Sequence, residues 1–344
     1  MNKKALIFFS SLLIATVIIF FWSLASGPHA LEFSAVLNHL GQWLSGTHSN
    51  ASAGDIYVVT ELRLPRTILA FLVGAALALS GAVVQTLFRN PLADPSLIGV
   101  SSGAALAAAA ALVLGGTWAL SYNAALTQYL LPVSAFIGGL IATWLIVKIS
   151  RTHYATSLSI VLLTGIAINA LAGSGIGLLS YVATDTMLRS ITFWTLGSLA
   201  QANWTSVVLA VIFMGIVLVT MPFYTRAFNA LLLGEAAAQH LGIAVEKVKR
   251  GALFGVALSV GAAVALTGII GFIGLVIPHM VRLVLGSNHK YVLPGSILLG
   301  GNILMLADIS ARTWLAPAEL PIGIITALLG APFFLLLIIR EKHF

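Results

Sequence analysis

Apolar stretches of about twenty residues, each long enough to cross a hydrocarbon layer, recur along nearly the whole of this chain. That recurrence fixes the class of fold before any motif is considered. Inside a bilayer every backbone N–H and C=O needs a partner within the protein, which leaves helices or closed barrels. A barrel strand alternates its faces over about ten residues, whereas these runs are continuous. Only 8% of the 344 residues are charged and 59% are hydrophobic, against roughly a quarter charged in a soluble domain. The chain reads as an all-α integral membrane protein, one transmembrane domain over residues 1–344.

Lys3 and Lys4 precede the first run, residues 5–26, which spans roughly 33 Å as a helix. A cleaved signal peptide is the competing reading, but its apolar core usually covers only about 7 to 15 residues. Nine further spans are expected at 64–86, 97–115, 129–147, 158–182, 205–225, 251–271, a short one at 273–286, then 292–311 and 321–339. Ten spans put both termini on one side. Lys3, Lys4, Arg89, Lys148, Arg151, Arg226, Lys247, Lys249, Arg250, Arg282, Lys290, Arg340 and Lys342 then share that side, while Arg63, Arg66, Arg189 and Arg312 lie opposite. The positive-inside rule makes the richer side cytoplasmic. The formal charge of +7 therefore reports topology rather than affinity for nucleic acid. Residues 27–62 form an expected external loop and 226–250 a cytoplasmic one. His29, His39 and His48 in the external loop have no tight spacing or carboxylate neighbours, so they read as solvated residues and no metal site is expected.

Chemistry is sparse. With no cysteine, disulfides, thiolate metal sites and Cys nucleophiles are excluded. No P-loop pattern occurs, so the chain binds no nucleotide by that route and ATP with its Mg must be handled by a separate ATPase. No catalytic residues and no cofactor of its own are expected. Gly173, Gly175 and Gly177 lack the last glycine of a dinucleotide fingerprint and lie inside an apolar span, where close helix packing accounts for them. Gly99 with Gly103, and Gly251 with Gly255, have the spacing of close-packed membrane helices. Asp308, the main ionisable group at membrane depth, stands four residues before Arg312, the spacing of an ion pair along one helix face. These features favour a conduit driven from outside the chain over an enzyme or a self-powered pump.

Local signals punctuate the spans. Asn90-Pro91 and Asp94-Pro95 break the chain after the second span, with Asp94 as N-cap and Pro95 first in the next helix. Glu319 precedes Pro321 at the start of the last span, where a negative charge suits a helix N-terminus. The sequence LLLGEAAAQHLGIAVEKVKR at 231–250 is too polar to span. It predicts a short helix, a glycine stop at Gly242 and a second short helix.

RLPRTILAFLVGAALALSGAVVQTLFRNPLADPSLIGVSSG (63–103), FWTLGSLAQANW (193–204), LLLGEAAAQHLG (231–242), GFIGLVIPHMVRL (271–283) and ADISARTWLAPAELPIGIITALLGAPFF (307–334) resemble, in content and order, the permease subunits of bacterial ABC importers for ferric siderophores, haem and cobalamin. The segment TFWTLGSLAQANW is most similar to the haem branch. The resemblance implies a type II importer architecture in the bacterial cytoplasmic membrane, a homodimer, two ABC ATPase subunits and a periplasmic binding protein. It implies that Gly234, Glu235, Ala236, Ala237, His240, Leu241 and Gly242 dock on the ATPase; the glycine stands seven residues after Glu235, one further than in the commonest form of the motif. It implies that Arg63, Arg66 and Arg312 receive the binding protein. It also implies a path between two copies lined by the fifth and tenth spans, which maps onto Asn169, Ser174, Ser180 and Thr326. Arg189, Phe193 and Trp194 fit a short external helix at the mouth, although an interfacial aromatic belt explains tryptophan there equally well. A secondary transporter and a non-transporting scaffold are the alternatives from other classes.

Overall fold

The computed structural model describes residues 3–28, 31–46, 53–122, 124–151 and 156–341. His29, His48 and Lys342 lie outside them. The described chain is helical throughout, in the order α1 Lys3–Ala25, α2 Phe33–Ser45, α3 Ala53–Tyr57, α4 Leu64–Leu87, α5 Val100–Tyr122, α6 Ala124–Ile149, α7 Leu158–Val182, α8 Asp185–Thr195, α9 Trp204–Thr220, α10 Thr225–Leu232, α11 Glu235–His240, α12 Val245–Thr267, α13 Ile273–Leu285, α14 His289–Thr313 and α15 Ile322–Glu341. Each of the ten expected spans falls on one of the longer helices. Seven stretches among the described residues are long and apolar enough to cross a membrane, and shorter apolar stretches occur at Val100–Gly115, Ile273–Leu285 and Ile322–Leu336.

The centre of the bundle is α4, whose small residues from Gly74 to Thr86 are buried almost without a break. It packs against α14, α13, α9 and α12. Glycine permits the closest of these approaches: a Cβ on Gly74 would strike the Gly300 carbonyl, and one on Gly81 would strike that of Gly274. The α5–α6 crossing uses Gly103 against Gly138 in the same way. Lipid tails supply no hydrophobic drive between helices, so such backbone proximity carries the packing. Gly255 abuts Met221, whereas Gly251 is nearly unobstructed, so only half of that second pair behaves as a contact.

Several local expectations need correction. The external loop is largely helical: α2 and α3 fill it, and a π-helical turn Val58–Arg63 joins α3 to α4. His39 is buried at 7% exposure, not solvated, although no metal-binding cluster exists among the described residues. Asp94 caps as expected, accepting from the Ser96 N–H at 2.8 Å, but what it caps is a 3₁₀ turn Pro95–Ile98 that ends at left-handed Gly99 before α5 begins. Gly173 and Gly177 meet nothing within 4 Å, and Gly175 alone abuts Leu106, so within a single chain the expected close packing holds at Gly175 only. That face of α7 is open.

Gly81→Ala forces the α4 and α13 backbones apart, and overpacking of this kind costs about 1–3 kcal/mol. Gly215→Ala in α9, whose nearest atom would be at 3.9 Å, should be neutral or stabilising because it removes a helix-propensity penalty of about 1 kcal/mol. Thermal unfolding of the two variants in detergent separates backbone proximity from glycine content.

Candidate functional site

At the end of the bundle where α1 finishes and α4 begins, three arginines and two acids form one cluster. Asp308, fully buried on α14, receives Arg66 Nε at 2.9 Å on one oxygen. Its other oxygen lies 3.0 Å from Arg312 Nε, in ion-pair contact without hydrogen-bond alignment. The expected i,i+4 pair is therefore present, with Arg66 as a third member. Glu319 takes the remaining donors of Arg66 in a two-pronged pair at 2.9 and 3.0 Å. The sequence reading gave Glu319 to the N-terminus of the last helix; a guanidinium fork matched to a carboxylate is the stronger partner.

Arg63 and Arg312 are only 6% and 3% exposed. Arg63 donates to the carbonyls of Leu24 and Ala25 at 2.8 and 3.0 Å. Arg312 donates to the Ser26 and Ser23 carbonyls at 3.1 and 3.2 Å and to Ser23 Oγ at 2.9 Å. The last carbonyls of a helix have no partner within it, and cations at that end are favourable; these two arginines cap α1. In this conformation neither presents a free guanidinium group to an external carboxylate, and Arg66 and the part-exposed Glu319 are the members of the cluster closest to solvent.

Beside Glu319 opens a cavity of about 540 Å³ lined by Arg189, Phe193 and Trp194 of α8, together with Ser198, Gln201 and Thr267. Helix α8 starts where Thr184 Oγ1 accepts from the Met187 N–H. Its extended entry is followed by an amphipathic helix that brings the arginine and both aromatics to one opening. The Gly268 backbone passes so close to Trp194 that a side chain there would meet its carbonyl.

The four expected path residues do not behave alike. Ser174 is exposed and bonds back to the Ala170 carbonyl at 3.0 Å, and Ser180 is half-buried on the same helix. Asn169 is held by Ser102 Oγ and faces the Ser96 carbonyl at 3.5 Å, so it fastens α7 to α5. Thr326 is buried and bonds to the Gly323 carbonyl of its own helix.

At the opposite end lies the predicted turn. Gly234 (φ 110°) and Gly242 (φ 79°) bracket α11, and the Gly242 and Ile243 N–H groups return to the Gln239 and Ala238 carbonyls at 2.9 and 3.0 Å. The second helix is not short: α12 runs from Val245 through the bundle, so Lys247, Lys249 and Arg250 belong to the base of a spanning helix. Lys249 is the residue that sequence reasoning missed. It is buried, and its Nζ meets Glu235 at 2.6 Å, Glu246 at 3.2 Å and the Thr156 carbonyl at 3.2 Å, while Glu246 also accepts the Thr156 N–H at 3.1 Å. One ammonium thus joins α11, α12 and the segment before α7. Helix α10 is anchored separately: Asn229 Oδ1 accepts the His289 N–H and lies 2.9 Å from its Nδ1, and His289 Nε2 meets Thr86 of α4 at 2.6 Å. Leu233 and Leu241, 71% and 63% exposed, flank α11. Its Ala236, Gln239 and His240 are also exposed, and Ala237 is half-buried.

Asp308→Ala leaves Arg66 and Arg312 facing each other without their shared buried carboxylate. Breaking such a group costs about 3–5 kcal/mol, measurable as a lowered unfolding temperature in detergent, whereas Glu319→Gln at the exposed rim should cost about 1 kcal/mol or less.

The family model for the FecCD transport family matches residues 15–340. The chain is 42% identical over 332 residues to the hemin transport system permease protein HmuU of Yersinia pestis, covering 96% of this chain and 95% of that protein. It is 40% identical over 304 residues to the vitamin B12 import system permease protein BtuC of Escherichia coli, covering 88% and 89%. A solved inward-facing structure described as a metal-chelate type ABC transporter superposes with a TM-score of 0.83 at 32% identity, over 97% of this chain and 99% of that one. Match along almost the entire length, in sequence and in fold, establishes that the chain belongs to the FecCD transport family, as the multi-pass permease of an ABC importer.

Proposed function

We propose that two copies of this chain form the pathway of an ATP-driven importer in the bacterial cytoplasmic membrane, carrying haem from a periplasmic binding protein with energy from two ABC ATPase subunits. The observation that carries the reading is α11: a six-residue helix between two left-handed glycines, flanked by bare leucines and clamped underneath by Lys249. Exposed apolar side chains on a rigid, polar-rimmed turn make a docking knob, and the clamp ties its displacement to α12, which runs through the bundle. Both termini and this knob fall on the basic, cytoplasmic side.

Pairing of two copies is supported by the open face of α7, where Gly173, Ser174 and Gly177 leave room for another backbone and small residues favour helix contact. On the outer side the binding protein would settle over the Arg66–Glu319 rim, beside the α8 cavity. Haem is favoured as cargo by 42% identity to a hemin permease and by Arg189 with Phe193 and Trp194 at one opening: aromatic faces suit a planar ring, and a guanidinium suits its carboxylates. The 40% identity to a vitamin B12 permease keeps cobalamin, and ferric siderophores with it, within the same mechanism.

Reconstituted with its ATPase and binding protein, the permease should import haem in preference to cobalamin or a ferric siderophore. Preference for either of the others reassigns the cargo, and uptake that continues with the ATPase disabled identifies a secondary transporter instead.

Gly242→Val should leave membrane insertion intact and lower ATPase association and uptake, because a β-branched residue at φ 79° costs at least about 1–2 kcal/mol. Gly242→Asn, which tolerates that conformation, should retain most of both. Equal activity in the two variants removes the coupling assignment.

A further inference from the structure

Between α6 and α12, away from the outer cluster and from the open face of α7, runs a groove of about 430 Å³. Its walls are apolar, with Trp144 and Val147 from α6 and Leu253 and Phe254 from α12, and Arg151 and Arg250 stand at one end. Both arginines are exposed. No carboxylate pairs with either among the described residues: Glu246, the nearest acid on α12, is engaged by Lys249 and Thr156, and Arg250 Nε reaches only the Glu246 backbone carbonyl at 3.3 Å. Lys148 adds a third cation, its ammonium 4.6 Å from the Trp144 ring centre. The order along each helix is the same. Basic residues come at the end assigned to the cytoplasm, followed by apolar wall for roughly 16 Å from Arg151 to Leu140 and roughly 10 Å from Arg250 to Ala257 at helical rise.

We propose that this groove is a binding site for an anionic phospholipid of the cytoplasmic leaflet, its phosphate held between Arg151 and Arg250 and one acyl chain laid along Trp144, Val147, Leu253 and Phe254. The inference rests on the membrane orientation given above. The charges choose the occupant. Three uncompensated cations at headgroup level attract an anion, each contributing on the order of 1 kcal/mol near an anionic surface. The wall below them lies at hydrocarbon depth, where a soluble anion would gain nothing and an acyl chain fills apolar space. Exposed Trp144 and Phe254 give that chain its flat sides, and the tryptophan under Lys148 is placed as interfacial aromatics are. Because α12 also carries Lys249 and thus the base of the coupling turn, a lipid held here bears on the helix that joins the turn to the bundle.

The test uses the purified permease–ATPase complex in mild detergent, with native mass spectrometry reading how many molecules of dioleoyl phosphatidylglycerol or dioleoyl phosphatidylcholine remain bound across a titration. Phosphatidylglycerol should be retained preferentially. The double variant Arg151→Gln/Arg250→Gln should weaken its retention about 30-fold, the equivalent of about 1 kcal/mol for each basic residue removed, while phosphatidylcholine retention stays level. Glycerol 1-phosphate, the headgroup without chains, should fail to compete; full competition by it would reduce the site to a phosphate pocket and overturn the lipid assignment. Equal retention of both lipids, or an unchanged titration in the double variant, overturns it too. Val147→Trp, which fills the groove and leaves all three cations, should also abolish the phosphatidylglycerol preference. Uptake measured in parallel in phosphatidylcholine vesicles separates the two readings: transport without selective lipid retention sinks the lipid site and leaves the importer standing.

Discussion

With no water in a hydrocarbon core to drive apolar surfaces together, helices are held by how closely their backbones can approach, and in this protein that approach is made around α4. Gly74 against Gly300 and Gly81 against Gly274 bring α13 and α14 to near-contact with it. Everything at the two ends hangs on those crossings. Arg66 on α4 can reach Asp308 on α14 because the two helices are so close, and Thr86 on α4 can reach His289 at the start of α14 for the same reason. A wider bundle would leave both ends without their polar partners.

Charge is confined to those ends and is shared rather than paired. At one end Asp308 serves Arg66 and Arg312, while Arg312 and Arg63 satisfy carbonyls left over at the C-terminus of α1. At the opposite end Lys249 serves two carboxylates and a carbonyl. Burying a charge at low dielectric is costly unless several partners surround it, which explains why few ionisable groups are buried and why Asp308, Arg312 and Lys249 each sit in a multi-partner contact. The arrangement also divides labour. The Asp308 cluster fixes where three helices meet, and the Lys249 cluster fastens a short exposed helix to a long buried one.

The face that remains open is as informative as the packed one. Helix α7 shows Leu163, Leu171, Leu178 and Tyr181 to the outside together with small residues that touch nothing in the chain. Leucines alone would suit lipid. Glycines and serines among them leave shallow ground on which a second helix can lie close.

Apolar length alone determined the fold class and located long helical segments, because a backbone in lipid has so few ways to satisfy its hydrogen bonds that apolar length is nearly sufficient to specify it. Local chemistry was legible too: the Asp94 cap, the stop at Gly242 and the Asp308–Arg312 pair each depend on residues within a few positions of one another. Partners far apart in the sequence were not. Nothing near Glu319 announces Arg66, 253 residues away; nothing near Arg63 announces the end of α1; and Lys249 reads as one more cytoplasmic cation until three elements close around it. Thr326, polar in an apolar span, gave no sign of which way it faced. Rotation about a helix axis and the choice of distant partner are set by packing against neighbours, and only the tertiary structure decides those.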